Sequence, residues 1–596
     1  MSSSGDDSDA ESGDNTIIIG IDFGTTFSGV AYTWSNKADQ MEVITSWDSD
    51  LHFNSDLEKA PTAISLGSKN KVTWGYSIPE DVDQVRWFKL LLIDEDDLPA
   101  GVRGSLKIEE ARAYLKKHNK TAVEVIGLYL LHLWNHTTQR ITETVGRATV
   151  NYSKFEVLIT LPAIWPPYAQ SRMREAARLA GMLGTRVAGP TVLKFISEPE
   201  AAALATLSDM QSRCDIQNGD SFVVVDCGGG TVDLISYDMV SVSPAKVKEC
   251  VKGQGDLCGA VFVDAAFAEI LKDKFGDKRW KKLGDESRGR LLHDQWEHGI
   301  KSQFDGSKRE WKFTMPWECL EKSDLKTGKP IPKIVLTSDD VQRAFDLIVE
   351  KITAMVDDQV ASVMAKKGNK PKYVILVGGF GRSRYVFTSL KKRLGNDIEV
   401  LQSRGASPWT AICRGAVIHG TTLHGYSNFS VDVQGRISRA SYGVTCRMPW
   451  NDDVHDAAQK YFCEVEQIWK VTGNMKWFLK SGETVTPEKQ VKYTYWRFFD
   501  SNSERTRRIT EKIYTCDSLV SPNVRTDDVT ALCTVHWDTT IDITSLPTFT
   551  NSLGKVFYKL LYEIEMTVTG GVLDFAVYHK GKRIAGKGVM VDYENA

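Results

Sequence analysis

The sequence predicts an α/β fold over roughly its first two thirds and an all-β region after it. The α/β prediction rests on an apolar strand ending in Asp-x-Gly that occurs twice, at Asp22 and at Asp226, with helical segments between the copies. The all-β prediction rests on alternating apolar and polar residues, which replace helical spacing after about residue 425. We therefore expect two related α/β lobes followed by a β domain.

The composition argues against several classes of protein. The 596 residues are 42% hydrophobic and 25% charged, and a formal net charge of −3 provides no basic field for nucleic acid or anionic lipid. No apolar run approaches the roughly 18 residues that span a bilayer. Residues 1–15 are acidic and lack the parts of a secretory signal, so we expect a disordered tail on a cytoplasmic or nuclear protein that is not secreted. The ten cysteines form no C-x-x-C pair, which argues against a zinc site.

The elements of the α/β region follow one another along the chain. In "IIIGIDFGTTFSGVAYTW" (Ile17–Trp34), a strand ends at Asp22, a turn follows, and a second strand leaves; "VVVDCGGGTVDLISYD" (Val223–Asp238) repeats this plan. A third strand, Tyr373–Gly379, ends in paired glycines and runs into a segment with helical spacing. Helices are predicted between these strands at Val123–Trp134, Ser171–Leu183 and Glu198–Leu207.

The C-terminal region is typical of β-strands and hairpins. In "LYEIEMTVTGGVLDFAVYHKG", alternating apolar residues run up to Gly570-Gly571 and return after it, which predicts a hairpin. "VKYTYWRFF", "RITEKIYTC" and "VTALCTVHW" predict further strands. We place this β-rich domain at residues 437–593.

The two Asp-x-Gly turns are suited to binding a nucleotide. Glycine lets backbone N–H groups close on phosphate oxygens, and Thr25 and Thr231 can add hydroxyl donors. Asp22 and Asp226, facing each other from two lobes, suit Mg²⁺, which keeps most of its waters. A glycine-rich hairpin turn is the alternative for one isolated copy. Two copies offer opposing sides of one cleft, which a single turn cannot do.

Five motifs in order give the chain its resemblance to a known family. Residues 16–425 resemble the actin-like ATPase domain of the 70-kilodalton heat-shock chaperones, with two ribonuclease-H-like lobes. The matching segments are "IGIDFGTTFSGVA" and "VVVDCGGGTVDL" for the phosphate motifs, "ILVGGFGRSR" for the adenosine motif, and "FISEPEAAALA" and "ASPWTAICRGAVIHG" for the two connecting motifs. "LITLPAIW" resembles the strand that carries the family's switch proline, here Pro162.

The resemblance implies ATP or ADP with Mg²⁺ as ligands and a role for each matching residue. Asp22 and Asp226 are expected to organise the metal through its waters, and Glu198 and Asp233 to orient metal-bound water and the attacking water. Lys89, in "RWFKLLL", is the candidate catalytic lysine; the alternative is a lysine at the end of an amphipathic helix. The expected phosphate cradle is Gly24, Thr25, Thr26, Gly228, Gly229, Gly230 and Thr231. The expected adenosine pocket is Gly378, Gly379, Arg382, Glu297 and Lys301.

Two segments depart from the family pattern. In "WEHGIKSQF", Glu297 and Lys301 match the adenosine-clamping helix, but Ile300 stands where the resemblance expects the first basic residue. The "LGGED" motif appears as "LCGAV", with Cys258 and Ala260 in place of a glycine and an acid. We therefore expect a complete phosphate side and weaker binding of adenosine than in ordinary family members.

The C-terminal half resembles an atypical branch without a helical lid, similar to the type-12 heat-shock-70 proteins of animals and fungi. Its β-rich domain, a diverged β-sandwich under this interpretation, is expected to bind client polypeptides or a folded partner, or only to pack. The expected function is a Mg²⁺-dependent ATPase that acts as a nucleotide-driven, chaperone-like switch. The alternative is a nucleotide-binding scaffold with little turnover. A sugar or acid kinase on the same fold ranks third.

Overall fold

The computed structural model describes residues 15–37, 39–49, 57–67, 71–79, 82–98, 103–210, 215–321, 324, 330–402, 407–425, 431–486, 491–500, 507–518, 520–539, 543–569, 572–584 and 589–593. Nearly all of the tail predicted at residues 1–15 lies outside this part of the chain. The first compact unit comprises Met1–Trp165, Arg172–Lys246 and Gln254–Asp432; the second comprises Pro166–Ser171, Val247–Gly253 and Val433–Ala596. The domain limits at 16–425 and 437–593 stay predictions.

Strands and helices alternate along the first two thirds of the chain. The strands there are β1 (Thr16–Phe23), β2 (Phe27–Trp34), β3 (Glu42–Val43), β4 (Lys59–Pro61), β5 (Ala63–Leu66), β6 (Val72–Trp74), β7 (Val85–Arg86), β8 (Lys154–Leu161), β9 (Thr185–Arg186), β10 (Gly189–Pro190), β11 (Val192–Ser197), β12 (Ser221–Cys227), β13 (Val232–Ser241), β14 (Lys246–Glu249), β15 (Gln254–Asp256), β16 (Glu310–Thr314), β17 (Lys333–Thr337), β18 (Tyr373–Val377) and β19 (Glu399–Gln402).

The helices include all three that the apolar spacing predicts. They are α1 (Leu106–Lys117), α2 (Ala122–Val145), α3 (Arg147–Tyr152), α4 (Tyr168–Leu179), α5 (Glu198–Met210), α6 (Ala260–Phe275), α7 (Asp277–Trp280), α8 (Asp285–Gly289), a π-helix (Arg290–Ile300), α9 (Lys301–Gln303), α10 (Ser338–Lys367), α11 (Arg384–Leu394) and α12 (Ser407–Leu423). The helix predicted at Val123–Trp134 continues to Val145, and a capping box of Thr121 and Glu124 defines its start.

The first unit contains two sheets built on the same plan. In the first sheet the strand order is β11-β8-β1-β2-β3; β1 is antiparallel to β2 and parallel to β8. In the second sheet β19, β18, β12 and β13 follow in that order, and β12 is antiparallel to β13 and parallel to β18. Both β1 and β12 are buried along their whole length, as central strands of a covered sheet are. The repeated strand–Asp-x-Gly–strand segment thus forms the central hairpin of each sheet, and the α/β prediction is confirmed.

The second unit is built mainly from two antiparallel sheets. The strands in this part of the chain are β20 (Asp432–Ile437), β21 (Ser441–Pro449), β22 (Lys460–Cys463), β23 (Ile468–Leu479), β24 (Thr484–Val485), β25 (Val491–Phe499), β26 (Arg507–Cys516), β27 (Thr530–Thr539), β28 (Thr548–Thr550), β29 (Val556–Thr569), β30 (Val572–His579), β31 (Lys582–Arg583) and β32 (Val589–Tyr593). One sheet has the order β22-β23-β21-β26-β27-β32, and the other β25-β29-β30-β31 with β28 beside β29.

The two sheets of the second unit enclose one hydrophobic core. Ile513 and Trp537 from the first sheet and Ile564 and Val577 from the second belong to the same buried cluster. Two antiparallel sheets packed face to face around a common core form a β-sandwich. The predicted hairpin is confirmed by the pairing of β29 with β30. Its turn residues, Gly570 and Gly571, lie outside the described residues. Among the described helices, none is long and apolar enough to cross a membrane.

Candidate functional site

The two Asp-x-Gly turns of the first unit lie against each other. A Cβ atom added to Gly229 would be 2.6 Å from Thr26 Oγ1, and one added to Gly230 would be 2.7 Å from Thr25 Oγ1. Only residues without a side chain allow such an approach. The structure therefore brings together the two loops that the sequence predicts as opposite halves of a phosphate cradle, residues 24–26 and 228–231.

The acids that precede these loops lie near the ends of the central strands of the two sheets. Asp22 on β1 is in register with Gly29 on β2, and Asp226 on β12 is in register with Asp233 on β13. All three acids are buried. Gly378, with φ of +81°, follows β18, and a Cβ atom there would overlap Asp226 Oδ1 and lie 2.5 Å from the carbonyl oxygen of Cys227. Gly378 thus allows the adenosine motif to pass directly beside Asp226.

The glycine loop after Asp226 is held by hydrogen bonds from the start of α6. The amide groups of Gly259, Ala260 and Val261 donate to the carbonyl oxygens of Gly230, Gly228 and Gly229, at 3.1, 3.1 and 2.9 Å respectively. Within the loop, the amide of Gly228 donates to the carbonyl oxygen of Thr231 at 2.9 Å. The "LCGAV" segment therefore still supports the loop, through its backbone. The carbonyl oxygens of the loop, which are the negative ends of its peptide dipoles, are therefore directed at the start of α6.

Lys89 and Glu198 form a buried ion pair in this centre. Lys89 Nζ lies 2.6 Å from Glu198 Oε1, and the two side chains are 2% and 7% exposed. Burial raises the pKa of Glu198 above its ordinary value, although Lys89 acts in the opposite direction. Leu90, next to Lys89, is 3.3 Å from the position of a Cβ atom on Gly230. Lys89 lies in a short 3-10 turn, Phe88–Leu92, rather than at the end of an amphipathic helix.

The backbone just before Lys89 is strained. Trp87 has φ of +64° and ψ of 9°, in the left-handed region that a bulky side chain rarely adopts. Such a conformation costs about 1–3 kcal/mol and persists only where the surroundings fix it. Trp87 and Phe88 are buried, and the ring of Phe88 lies 6.2 Å from that of Phe23 on β1.

Lys59 is a member of this centre that the sequence analysis missed. Its ammonium group forms an ion pair with Asp22 Oδ2, and both residues are buried. The pKa of Lys59 is raised: burial is the largest single effect and acts to lower it, but Asp22, Cys413 and Asp226 together outweigh burial, so the ammonium form is retained. The only signal in the sequence is a lysine beside the apolar residues of "KAPTAI". That signal does not indicate which acid the lysine contacts, because its partner, Asp22, is on another strand.

Asp226 carries the unbalanced negative charge of the site. Its pKa is well above the ordinary value because it is buried and because the carboxylates of Glu198, Asp233 and Asp22 are near. Among the described residues, no hydrogen-bond partner reaches Asp226 Oδ1. A cation would relieve this repulsion, and carboxylate oxygens are the ligands that Mg²⁺ prefers. The residues present therefore fit a magnesium ion, which Asp226 would hold with Asp233 nearby, and the ion would supply positive charge for phosphate oxygens.

On the predicted adenosine side, Lys301 forms an ion pair with an acid and Ile300 packs in a hydrophobic core. Lys301 Nζ lies 2.5 Å from Asp264 Oδ1 on α6, and the indole nitrogen of Trp296 donates to the same oxygen at 2.7 Å. Ile300 is 4% exposed and belongs to the hydrophobic core between α6 and α10. Glu297 is half-buried on the same π-helix. The chain thus fills the position of the missing base with a core residue, and Lys301 is already paired.

Trp409 joins the adenosine motif to the first phosphate loop. Its indole ring lies 3.7 Å from the position of a Cβ atom on Gly379 and 5.9 Å from the guanidinium carbon of Arg382. On the other side it contacts Phe27 at 5.5 Å between ring centroids, and Lys59 Nζ is 6.0 Å from its centroid. The sequence analysis quoted the segment that holds Trp409 without singling it out. The ring connects the residues predicted to bind adenosine with the Lys59–Asp22 pair.

Comparison with known proteins identifies sequences to which this chain is similar. A family model described as "Hsp70 protein" matches residues 113–448. The chain is 26% identical over 480 residues to Heat shock 70 kDa protein 12A of Mus musculus. This match covers 68% of this chain and 69% of the relative. The chain is 25% identical over 316 residues to Heat shock 70 kDa protein 12B of Homo sapiens, covering 44% and 45%. It is 27% identical over 277 residues to Chaperone protein DnaK of Thermoplasma volcanium, covering 45% and 40%.

Proposed function

The chain belongs to the Hsp70 family and is similar to its type-12 members, and from this premise we propose that it binds ATP and hydrolyses it with Mg²⁺. The observation that supports the proposal best is the meeting of the two phosphate loops around a buried centre. That centre holds Asp22, Asp226 and the Lys89–Glu198 pair. A glycine-lined turn, buried acids and a fixed ammonium group are what phosphoryl transfer to water requires, because its catalysis is mostly positioning and electrostatic stabilisation.

Each residue has a task that follows from its position. Thr25, Thr26 and Thr231 lie at the loop contact, where their hydroxyl groups can donate to phosphate oxygens. Lys89 provides a positive charge that Glu198 keeps in place, since either ion alone would be costly to bury. Asp233, beside Asp226 in register, can accept a hydrogen bond from water. When bound, Mg²⁺ would supply the charge that neutralises phosphate oxygens.

Release of phosphate from ATP by the full chain tests the proposal. We expect Mg²⁺-dependent release by the wild type and its loss in Asp226→Ala, which removes the acid with the unsatisfied oxygen. The matched control is Asp238→Ala on the adjacent strand β13, whose carboxylate is paired with Lys367 at 3.0 Å, and its activity should be unchanged. Full activity in Asp226→Ala would refute the assignment of Asp226.

The same assay separates the alternatives. Binding of nucleotide without phosphate release would indicate an interaction scaffold, and transfer of phosphate to a sugar would indicate a kinase. We propose further that the β-sandwich of the second unit binds client polypeptides or a folded partner, and that nucleotide controls this binding.

A further inference from the structure

The Lys59–Asp22 pair is built by three adjacent strands in register. Asp22 on β1 is opposite Gly29 on β2, and Gly29 is opposite Lys59 on β4. A Cβ atom on Gly29 would lie 2.8 Å from Cγ and 3.2 Å from Cε of Lys59. The aliphatic part of the lysine therefore runs across the bare backbone of Gly29 to reach the acid. This path requires glycine at position 29, because a side chain there would block the lysine.

The ion pair lies inside the site rather than at its edge. Lys59 and Asp22 are 5% and 2% exposed, and the ring of Trp409 is near the ammonium group. Asp226 acts on Lys59 electrostatically, as does Asp22. A buried lysine is costly unless a paired anion holds it. Asp22 provides that anion here, so its carboxylate is already neutralised in the absence of any metal.

The two acids at the ends of β1 and β12 therefore differ in whether a protein side chain already pairs with their carboxylate. Asp22 has a fixed ammonium group as its counter-ion, whereas no described residue satisfies Asp226 Oδ1 with a hydrogen bond. A divalent cation entering this centre gains more from Asp226 than from Asp22, since it must compete with Lys59 for Asp22. The resemblance implies that both acids organise the metal through its waters; the structure makes the two positions unequal.

We propose that Lys59 is a built-in cation of the nucleotide site. Its ammonium group holds the place beside Asp22 that a metal ion would otherwise take and contacts nucleotide phosphates, while Mg²⁺ is held on the Asp226 side. Lys59 is thus a phosphate-binding residue, and Asp22 positions it. This inference rests on the proposed nucleotide binding. It requires that nucleotide affinity depend less on divalent metal than in a site built from two free carboxylates.

Calorimetric titration of the full chain with ADP, with saturating Mg²⁺ and then with EDTA, tests this directly. For the wild type we expect removal of Mg²⁺ to weaken ADP binding by about tenfold or less. In Lys59→Met, ADP binding in EDTA should weaken by at least a further tenfold, the usual order for one charge-assisted contact. The control is Lys194→Met, which removes a lysine paired with Glu156 at 2.9 Å on the same sheet, and it should behave as the wild type.

The outcomes distinguish this inference from the function on which it rests. If the wild type shows no ADP binding with Mg²⁺, the proposed function fails. If ADP binds but Lys59→Met has the wild-type ratio of affinities with and without Mg²⁺, Lys59 is not a phosphate-binding cation and the inference fails.

A second pair of variants tests the asymmetry even if Lys59→Met does not fold. The concentration of Mg²⁺ that gives half-maximal ADP binding should rise at least tenfold in Asp226→Asn and less than threefold in Asp22→Asn. Equal increases, or the reverse order, would overturn the inference.

Discussion

At the scale of single residues, the Lys89–Glu198 pair combines a catalytic and a structural role, and the two can be separated. In Lys89→Met we expect kcat for ATP hydrolysis to fall about 10²–10³-fold, the usual range for one charged group that stabilises a transition state. We also expect a loss of stability of about 3–5 kcal/mol, because Glu198 would remain buried without its partner.

The double variant Lys89→Met/Glu198→Gln should recover most of the stability and none of the activity. Phosphate release and urea unfolding measure the two quantities. Recovery of activity in the double variant would contradict a catalytic role for Lys89.

Asp226 makes the stability of the nucleotide-free chain depend on pH. The folded state raises the pKa of this carboxyl group through burial and neighbouring acids. Stability from the protonated form is therefore complete below the unfolded pKa, about 4, and is lost as the pH rises through the raised folded pKa. Asp226→Asn removes this loss of stability at high pH, because asparagine does not ionise. We expect the variant to melt about 2–4 °C higher than the wild type at pH 8 without Mg²⁺ and nucleotide.

The difference should vanish at about pH 3, below the unfolded pKa of about 4, where the wild-type carboxyl group is protonated in both states. Thermal unfolding of both proteins across this range is the measurement. A lower melting temperature for Asp226→Asn at pH 8 would mean that another group already neutralises the carboxylate.

Residues of the site differed in how far the sequence could predict them. Asp22, Asp226 and Gly229 stand in a local pattern that repeats, so their roles could be inferred before their contacts were known. Lys59 could not, because its partner is reached only through the pairing of β4 with β2 across Gly29. Trp409 likewise contacts Phe27 and Arg382, which are distant in the sequence. Neither the Lys59 ion pair nor the Trp409 contacts can be predicted from the neighbouring sequence.

At the scale of elements, the π-helix Arg290–Ile300 bears on the weaker adenosine binding that the sequence predicts. If Ile300 only marked a missing basic residue, a lysine there would strengthen binding. The structure packs Ile300 in the core with Phe304 and Trp296. We expect Ile300→Lys to destabilise the chain by about 2 kcal/mol or more, since its charge would be buried without a partner, and not to increase affinity for ATP. Urea unfolding and ATP titration check both parts.

Ser302→Lys, at an exposed position two residues further on, is the control for an added charge and should leave stability nearly unchanged. Tighter ATP binding by Ile300→Lys at wild-type stability would show that position 300 faces the nucleotide.

Strands were predicted more closely than helix ends. "VKYTYWRFF" coincides with β25, and the two neighbouring predicted strands differ from β26 and β27 by one or two residues at their ends. Alternation of apolar residues determines which face of a strand is buried, so the pattern itself carries the answer. The end of α2 lies eleven residues beyond the predicted end at Trp134, at Val145. Polar residues on its exposed face hide that continuation from a search for apolar runs.

At the scale of the whole molecule, the β-sandwich leads to a prediction about client release. Within the described residues from 433 to 593, the regular structure consists of strands and short 3-10 turns. Because the sequence resembles a branch without a helical lid, we expect a peptide held there to leave quickly. With a Kd near 1 µM and ordinary association rates, we expect dissociation at about 1 per second. Stopped-flow fluorescence of a labelled unfolded peptide on the full chain measures this rate.

ATP should change that rate if the chain is a nucleotide-driven switch, and Asp226→Ala should abolish the change. Dissociation over minutes, with or without nucleotide, would contradict fast exchange. Absence of any peptide binding would favour a folded partner or a packing role for the sandwich.

The path of Lys59 across Gly29 also limits how this site can evolve. Alanine at position 29 is incompatible with a lysine that crosses it at 2.8 Å, but harmless once residue 59 is short. A lineage could therefore lose the lysine first and fill position 29 afterwards, whereas the opposite order passes through an intermediate with a displaced, buried ammonium group. Regaining the lysine would then require the glycine to return beforehand. Two positions thirty residues apart in sequence thus form an epistatic pair, and the history of one constrains the other.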